Sequence, residues 1–571
     1  MDCELSWALW KQCHFSPTTK ECLKFGKRKK EKSNFIRRMT TFARNGSPMH
    51  GRNAMLQVIK IALACNAKTL IGVDISLCFH ECVKRHVKHV YETAKKKEQF
   101  LSRDGYDAFM VATQGVQNTR ETELQQYTFD EFFMLWSNTP SAWRAAGDKQ
   151  EKLDATRPLS NYFISKPVVH HHGTMTSTVG FREVCRAIRE TAFETNPLPI
   201  IVSLQVGADQ EQQEVMVDIM KEEWAGLLLD VPFDSCDPYQ RQPRLEELYE
   251  KILIKVKRAE CTQVVGEVER GRSNGIPPIS PKPRKRSICE ALAALAIYTH
   301  SEHYENEESL SSRTPSHIFS LSEDHFLSLA EDTSKIHKVL AHNRDFFMRI
   351  YPKGLRVDSS NPDPSFHWRR GVQMVAMNWQ KTDEGMMLND AMFDGTNGWV
   401  MKPASLLSDN STAEMSSMSH IPQRTLDLRI TVLAGQFLPL PEDRRKKGGF
   451  GIASDGKFRP RVKVELHVEK AQRSLDYAKE TPPARTENPD WGLYPKTLDF
   501  LDVKGVVEEL SFVRFKVEDS SSNFRGELVA WACIRLDRLQ LGYRCVDLLH
   551  PVTRRPVEGM LFVKIEKVLK D

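Results

Sequence analysis

The sequence predicts a multidomain protein that combines a helical region, a split α/β region and a C-terminal β-sandwich. Apolar residues follow helical spacing from Ala54 to Trp136, and strands alternate with helices over residues 158–258 and 316–403. Short strands that are polar at every second position occupy residues 425–571. A chain of 571 residues has room for about four domains of ordinary size. We therefore expect several cores along the chain.

The composition is that of a globular chain and excludes a disulfide framework. The chain is 40% hydrophobic and 27% charged, and its net charge is only +6. The most apolar windows, residues 59–79 and 288–298, are interrupted by charge or too short to cross a bilayer. Twelve cysteines without a CxxC pair fit reduced thiols. These features predict a cytoplasmic protein that meets polyanions only through local basic patches.

The N-terminal segment, residues 1–48, is basic and partly amphipathic. It carries Lys27-Arg28-Lys29-Lys30 and further Lys and Arg residues among aromatic and aliphatic ones. Two interpretations stay open, a solvated head region or a segment attracted to anionic lipid, where each basic residue contributes roughly 1 kcal/mol. Residues 49–150 follow as the predicted α-helical domain.

The α/β region is divided by a segment with the composition of a linker. Residues 259–315 contain the Pro-rich run 275–283, the basic cluster 282–286 and the acidic patch 305–308. Such a segment buries little apolar surface, so we expect it to have little fixed structure. A Ser/Met-rich gap from 405 to 418 precedes the β-sandwich.

Several motifs resemble eukaryotic phosphoinositide-specific phospholipase C. Residues 158–165 (PLSNYFIS) resemble the start of the X region of that family, and residues 348–361 (MRIYPKGLRVDSSN) resemble its Y region. Residues 129–136 resemble the end of its EF-hand region, and residues 425–571 its C2 domain. The resemblance implies an α-helical EF-hand-like domain, a split TIM-like (β/α) barrel and a C-terminal C2-like β-sandwich.

The resemblance implies hydrolysis of phosphatidylinositol 4,5-bisphosphate to diacylglycerol and inositol trisphosphate, assisted by Ca²⁺, in lipid signalling at the membrane. Carried over residue by residue, it implies that His171 is catalytic. The implied head-group ligands are Lys255, Lys257, Ser320, Arg349 and Tyr351. Strand spacing places both lysines on one side of a strand, and cations aimed into a barrel suit a polyphosphate. Without the resemblance, these charges would be interpreted as solvated strand ends.

The sequence departs from the family at the positions that bind calcium. Ser165 runs directly into Lys166-Pro167 where the family has His and Asn, and the expected Glu-Leu-Asp is absent. Gln205 replaces a Glu ligand, so the implied Ca²⁺ site is incomplete. The two barrel halves also hold fewer residues than the roughly 200 of the smallest barrels. A missing βα segment, lost by splicing or in the gene model, would explain both departures.

Two functions stay open at this point. The first is a phosphoric diester hydrolase, a phosphoinositide phospholipase C. The second is a catalytically dead phosphoinositide-binding protein that keeps the head-group ligands. Because the first catalytic His and most Ca²⁺ ligands of the family are absent, we expect this chain to release no inositol trisphosphate when Ca²⁺ is present, and turnover that His171→Ala abolishes would contradict this expectation. An incomplete gene model of the enzyme would give the same departures.

The partners expected from the sequence are phosphoinositide lipid and an anionic membrane surface. The run Arg444, Arg445, Lys446 and Lys447 forms either a membrane contact or a solvated loop. Asp519 lacks a second aspartate at the spacing expected in a C2 loop, which predicts weak calcium-dependent docking. No nucleic-acid partner is expected, because the basic runs lack aromatic platforms.

Overall fold

The computed structural model describes most of the chain from residue 79 onwards. The described residues are 79–116, 124–137, 143–147, 153–168, 179–258, 287–304, 314–354, 356–408, 424–441, 457–469, 477–521 and 526–570, and for 166–168 only the backbone is described. They divide into two compact units, one built from residues 153–389 and 393–408 and the other from 79–147, 390–392 and 424–570. No helix among these residues is long and apolar enough to cross a membrane. The basic segment 1–48 lies outside them.

The described elements are numbered here in chain order. The helices are α1 Glu81–Ala94, α2 Arg103–Ala112, α3 Phe129–Ser137, α4 Phe181–Thr191, α5 Gln210–Glu223, α6 Glu290–Ala294, α7 Glu323–Glu331, α8 Thr333–Asp345, α9 Pro364–Trp368 and α10 Glu384–Phe393. The strands are β1 Leu101–Ser102, β2 Gln126–Tyr127, β3 Tyr162–Val168, β4 Ile200–Ser203, β5 Ile252–Lys255, β6 His300–Glu302, β7 His317–Ser322, β8 Phe347–Tyr351, β9 Met374–Asn378, β10 Trp399–Met401, β11 Arg424–Gln436, β12 Pro460–His467, β13 Ala478–Glu480, β14 Thr497–Val506, β15 Phe512–Asp519, β16 Glu527–Arg535, β17 Gly542–Leu549 and β18 Pro556–Lys570.

Parallel strands form the framework of the first unit. One sheet has the order β10-β3-β9-β8-β7-β6, and a second pairs β4 with β5. A parallel bridge between Lys257 and Ser301 joins the end of β5 to β6. Only β10 is antiparallel within these two sheets, and it pairs with β3. The spatial order of the parallel strands is therefore β3-β9-β8-β7-β6-β5-β4, and within the described residues β3 and β4 do not pair.

Alternation along β4 and β5 separates two apolar layers of this unit. Ile200, Val202, Ile252 and Ile254 pack in one buried cluster with residues of α4, α5 and α6. Ile201 and Leu253, one position along, pack in another cluster with apolar residues of β3, β7, β8 and β9. Because successive strand residues face opposite sides, one face of the sheet carries the helices and the other lines an interior shared by both sheets.

The predicted linker is wrong over residues 287–304. Helix α6 buries Leu292, and strand β6 is paired with β7 through His300 and His317. Both elements are short, with five and three residues, so they carry no measurable periodicity in the sequence. The rest of the predicted linker, residues 259–286 and 305–313, lies outside the described residues.

The second unit contains one eight-stranded antiparallel sheet with the order β13-β12-β15-β16-β17-β18-β11-β14. Strands from both ends of this order pack on one shared core, so the sheet folds over on itself as a sandwich. Buried and half-buried residues alternate strictly along β12, as expected for a strand with one face on the core. Residues 560–565, which lie in the range predicted to contain strands polar at every second position, depart from this pattern. Leu561, Val563 and Ile565 enter the sandwich core, whereas Met560 and Phe562 on the opposite face pack with helices α1 to α3. The helices and the sandwich, predicted as separate domains, thus share one compact unit.

Asp519 stabilises a turn at the end of β15. Its carboxylate accepts hydrogen bonds from the backbone N–H of Arg459 at 2.9 Å and from the Ser521 hydroxyl at 2.8 Å, and the side chain is fully buried. Residues 522–525 and the basic run 444–447 lie outside the described residues. The carboxylate of Asp519 therefore has a structural explanation in hydrogen bonds to its own neighbours.

Candidate functional site

Polar side chains from five neighbouring strands share one face at the carboxyl ends of β4 to β8. Strand pairing sets this arrangement, because Ser203 is paired with Lys255, Lys257 with Ser301, and Ser320 with Arg349. Paired residues of a parallel sheet project to the same side, and residues two apart on one strand do so as well. Carboxyl ends of parallel strands are where ligand sites of α/β proteins form.

Lys255 lies at the centre of this face and is buried, with 3% of its surface exposed. Its Nζ donates hydrogen bonds to Ser301 Oγ at 3.0 Å and to Ser320 Oγ at 3.4 Å. Burial lowers the pKa of Lys255 well below its usual value, and the positive charges of Arg349 and Lys257 lower it further. A buried lysine among cations and hydroxyls favours an anionic ligand, because an anion would stabilise its charged form.

Arg349 and Tyr351 extend the face along β8. The Arg349 guanidinium carbon lies 5.4 Å from the centroid of the Tyr351 ring, and Tyr351 is 37% exposed. This stacking orients a planar, permanently charged group that binds phosphate oxygens in pairs. The aromatic ring beside it offers an apolar surface to a sugar-like ring.

The remaining predicted site residues lie at the edge of the polar face or outside the described residues. Lys257 is exposed beyond the end of β5. Gln205 is also exposed and follows β4, whose Leu204 N–H donates to the Lys255 carbonyl at 2.9 Å. His171 lies in the segment 169–178, outside the described residues, as do Arg444 to Lys447.

The loop that follows Tyr351 is anchored to the start of α7 by an ion pair. Arg356 donates from Nη2 to Glu323 Oε1 at 2.6 Å and from Nε to Glu323 Oε2 at 2.8 Å. Its Nη1 also donates to Ser360 Oγ at 2.9 Å. Burial alone would raise the pKa of Glu323, but the Arg356 hydrogen bonds hold that pKa below its usual value. Arg356 therefore ties the loop beside the candidate site to the start of α7.

The described residues do not fit a calcium site. Within them, no group of three or more His, Cys, Asp or Glu side chains could hold a metal ion. The polar face offers amine, guanidinium and hydroxyl groups, and its Gln205 amide carries no charge. Hard Ca²⁺ prefers six to eight oxygen ligands with carboxylates among them.

Ser301 belongs to the polar face but was not singled out from the sequence. It is the central residue of the three-residue strand β6, in the range predicted as linker. One serine in a three-residue strand cannot form a repeating pattern of polar residues, so the sequence gives no signal that distinguishes it. Its place beside Lys255 becomes visible only when β5 and β6 are paired.

The sequence matches two domains of one enzyme family. Residues 143–258 match the phosphatidylinositol-specific phospholipase C X domain, and residues 292–405 match the Y domain. These two regions of the chain belong to the phosphatidylinositol-specific phospholipase C family. The Y-domain match begins within α6, in agreement with the structure of residues 287–304.

Relatives within the phospholipase C family cover most of this chain. The 1-phosphatidylinositol 4,5-bisphosphate phosphodiesterase delta-1 of Rattus norvegicus is 31% identical over 423 residues, which cover 70% of this chain and 53% of that protein. The delta-3-A protein of Danio rerio is 30% identical and covers 71% of this chain and 51% of its own length. The chain thus spans about half the length of these relatives.

A solved structure from the same family has a similar fold. The crystal structure of PLC21 from L. pealei has a TM-score of 0.64 and 19% sequence identity, and the match covers 87% of this chain and 69% of that chain. The PLC21 structure from S. officinalis gives a TM-score of 0.63 at 20% identity. These likenesses extend across both compact units.

Proposed function

We propose that this chain is a phosphoinositide phospholipase C that hydrolyses phosphatidylinositol 4,5-bisphosphate to diacylglycerol and inositol trisphosphate in intracellular lipid signalling. The observation that carries the proposal is the convergence of Lys255, Ser320, Arg349 and Tyr351 on one face of the parallel strands. Relatives that are about 30% identical to this chain are named as phosphodiesterases of this lipid. A polyphosphorylated head group matches the charge of this face.

In the proposed complex, each ligand has a distinct task. Lys255 provides a buried ammonium to one phosphate, and Arg349 binds a second phosphate through paired N–H donors. The Ser320 hydroxyl donates to phosphate oxygen, and Lys257 supplies charge at the rim. The Tyr351 ring packs on the inositol ring, where C–H groups meet the aromatic face.

The catalytic part of the proposal rests on His171 and the family comparison. His171 would exchange a proton with the reacting hydroxyl or phosphate, as a histidine near neutral pH can. The family generally uses Ca²⁺ to lower the pKa of the attacking hydroxyl and to neutralise charge. Since the described residues do not fit such a site, the proposed roles of Lys255, Ser320, Arg349 and Tyr351 involve no metal.

We further propose that the parallel strands belong to one TIM-like barrel, with an X half over residues 158–258 and a Y half that starts near residue 287. The helices of the second unit would then be EF-hand-like and its β-sandwich C2-like. Such a protein acts at membranes from the cytoplasm, and Arg444 to Lys447 are proposed to meet anionic lipid.

Turnover by the full chain tests the catalytic proposal. Vesicles that contain phosphatidylinositol 4,5-bisphosphate are incubated with the protein and Ca²⁺, and released inositol trisphosphate is measured. The proposed function predicts release, against the expectation from the missing calcium ligands, and this release should be lost in His171→Ala and kept in the matched variant His170→Ala. Vesicle binding without any release would favour the lipid-binding alternative, and absence of both would contradict both functions.

Binding to the same vesicles tests head-group recognition separately. We expect Arg349→Ala to weaken binding about tenfold, because it removes a bidentate charged contact. Arg189→Ala is the matched control, since Arg189 is an exposed arginine on α4 with the same charge. Equal affinity of Arg349→Ala and Arg189→Ala would argue against the head-group role of Arg349.

A further inference from the structure

We propose that Ser301 is a positioning residue of the head-group site, where its hydroxyl holds the Lys255 amine in place for a phosphate of a polyphosphorylated inositol. This inference rests on the proposed recognition of the phosphoinositide head group. It adds β6 to β5, β7 and β8, the strands that carry the proposed head-group ligands. Neither the family resemblance nor the sequence pattern pointed to this residue.

The backbone of β6 fixes the direction of the Ser301 side chain. The Ser301 N–H donates to the Val256 carbonyl at 2.8 Å, which aligns β6 with the end of β5. Its neighbours His300 and Glu302 bond each other, Nε2 to Oε1, at 2.8 Å. Because they flank Ser301 in an extended strand, they face the opposite side. Ser301 is therefore the residue of β6 that reaches the polar face.

The distances make a small network of one amine and two hydroxyls. Lys255 Nζ lies 3.0 Å from Ser301 Oγ and 3.4 Å from Ser320 Oγ, and the two hydroxyl oxygens are 3.4 Å apart. The shortest of these contacts is the one to Ser301. An ammonium has three donors and no acceptor, so each hydroxyl accepts from it.

The charges around Lys255 explain why the Ser301 hydroxyl is important as a hydrogen-bond acceptor. Among the described residues, the charged groups that lower the pKa of the amine are Arg349 on β8 and Lys257 beyond the end of β5, and both are cationic. A buried ammonium in such surroundings depends on neutral acceptors for its stability. A serine hydroxyl that accepts from the amine still has its own O–H to donate, and that O–H can meet a phosphate oxygen. Ser301 thus links the amine to the anion.

Removing the Ser301 hydroxyl should change both affinity and its pH dependence. Burial holds the pKa of Lys255 well below its usual value, and the protonated amine is the form that attracts phosphate. Affinity therefore falls as pH rises through that pKa. Without the hydroxyl the charged form loses an acceptor and the pKa drops further, so affinity should begin to fall at lower pH.

The experiment compares full-length variants on phosphatidylcholine vesicles that contain phosphatidylinositol 4,5-bisphosphate, with phosphatidylinositol vesicles as reference. We expect Ser301→Ala to bind the bisphosphorylated lipid at least about tenfold more weakly, which corresponds to the loss of one hydrogen bond to a charged group. As pH rises, its affinity should begin to fall at a lower pH than the affinity of the wild type does. Ser301→Thr keeps a hydroxyl and should stay within about twofold of the wild type.

Two controls separate this inference from the proposed function. Ser328→Ala removes an exposed serine of α7 and should leave affinity and pH profile unchanged. If the wild type does not prefer the bisphosphorylated lipid, the proposed recognition itself fails. If the wild type prefers it but Ser301→Ala binds equally well, or binds more weakly by the same factor at every pH, the positioning role of Ser301 is overturned while the proposed function stands.

Discussion

At the scale of single residues, two lysines among the described residues of the first unit are buried beside neutral acceptors. Lys255 bonds serine hydroxyls at the candidate site. Lys402 is 2% exposed, and its Nζ donates to the Asn343 carbonyl at 2.7 Å. Burial lowers the pKa of Lys402 well below its usual value, although the nearby Asp345 charge acts in the opposite direction. For Lys255 we propose a phosphate ligand, whereas the position of Lys402 is explained by packing.

Replacing Lys402 with Met should stabilise the protein in a pH-dependent way. The folded-state pKa of Lys402 is lowered, so the unfolded chain binds more protons between that pKa and about 10.4, and wild-type stability rises with pH across this window. We expect Lys402→Met to raise the free energy of unfolding by about 1 to 2 kcal/mol at neutral pH, because the variant has no amine to desolvate. The gain should shrink as pH approaches 10.

Denaturant unfolding at several pH values checks this prediction. Lys381→Met is the matched control, since Lys381 is exposed and its amine is already hydrated. A stability difference for Lys402→Met that stays constant from pH 7 to pH 10 would show that proton binding at Lys402 is not its cause.

At the scale of elements, the ion pair between Arg356 and Glu323 holds the loop after β8. Glu323 is 9% exposed and Arg356 is 19% exposed, so each charge depends on the other for compensation. Breaking such a pair from one side leaves a charge without its partner. The pair also connects the end of β7 with the loop that follows Tyr351.

Arg356→Met should loosen this loop and destabilise the protein by about 2 to 3 kcal/mol, because Glu323 loses its partner. We expect faster amide hydrogen exchange over residues 352–361 and weaker vesicle binding. The double variant Arg356→Met with Glu323→Leu removes both charges and should recover part of the stability. A double variant less stable than Arg356→Met would contradict this explanation.

The elements that the sequence prediction missed were those without internal periodicity. Helix α6 and strand β6 are too short to repeat a pattern, so the composition of the neighbouring segments dominated the prediction of a linker. Strand β18 was expected to alternate, but Met560 and Phe562 are buried by helices that come from a distant part of the chain. Longer elements such as α5 and β12 carry several repeats, and their type was predictable.

At the scale of the whole molecule, Phe562 connects the helices to the sandwich within the second unit. The side chain is fully buried, and its ring centroid lies 6.1 Å from that of Trp136 in an edge-on contact. The same strand supplies Leu561 and Val563 to the sandwich core. Because both faces of this strand are buried, the stability of the helices depends on the sandwich, and that of the sandwich depends on the helices.

Phe562→Ala should therefore destabilise helices and sandwich together, by about 3 to 5 kcal/mol, because it leaves a cavity between them. Hydrogen exchange at α1 and at β11 should rise in parallel. Val568→Ala is the control, since Val568 lies on the same strand and is 55% exposed. Faster exchange confined to α1 would contradict the shared core.

The sequence by itself determined the family, the order of the segments and the candidate head-group ligands, because contiguous motifs carry each of them. Lys255, Ser320, Arg349 and Tyr351 could be named before any contact was known. Only the tertiary structure decided that Ser301 joins them and that residues 287–304 complete the sheet. The reason is that the contact between Lys255 and Ser301 spans 46 residues of chain. Such a contact is created by strand pairing and leaves no pattern within either segment.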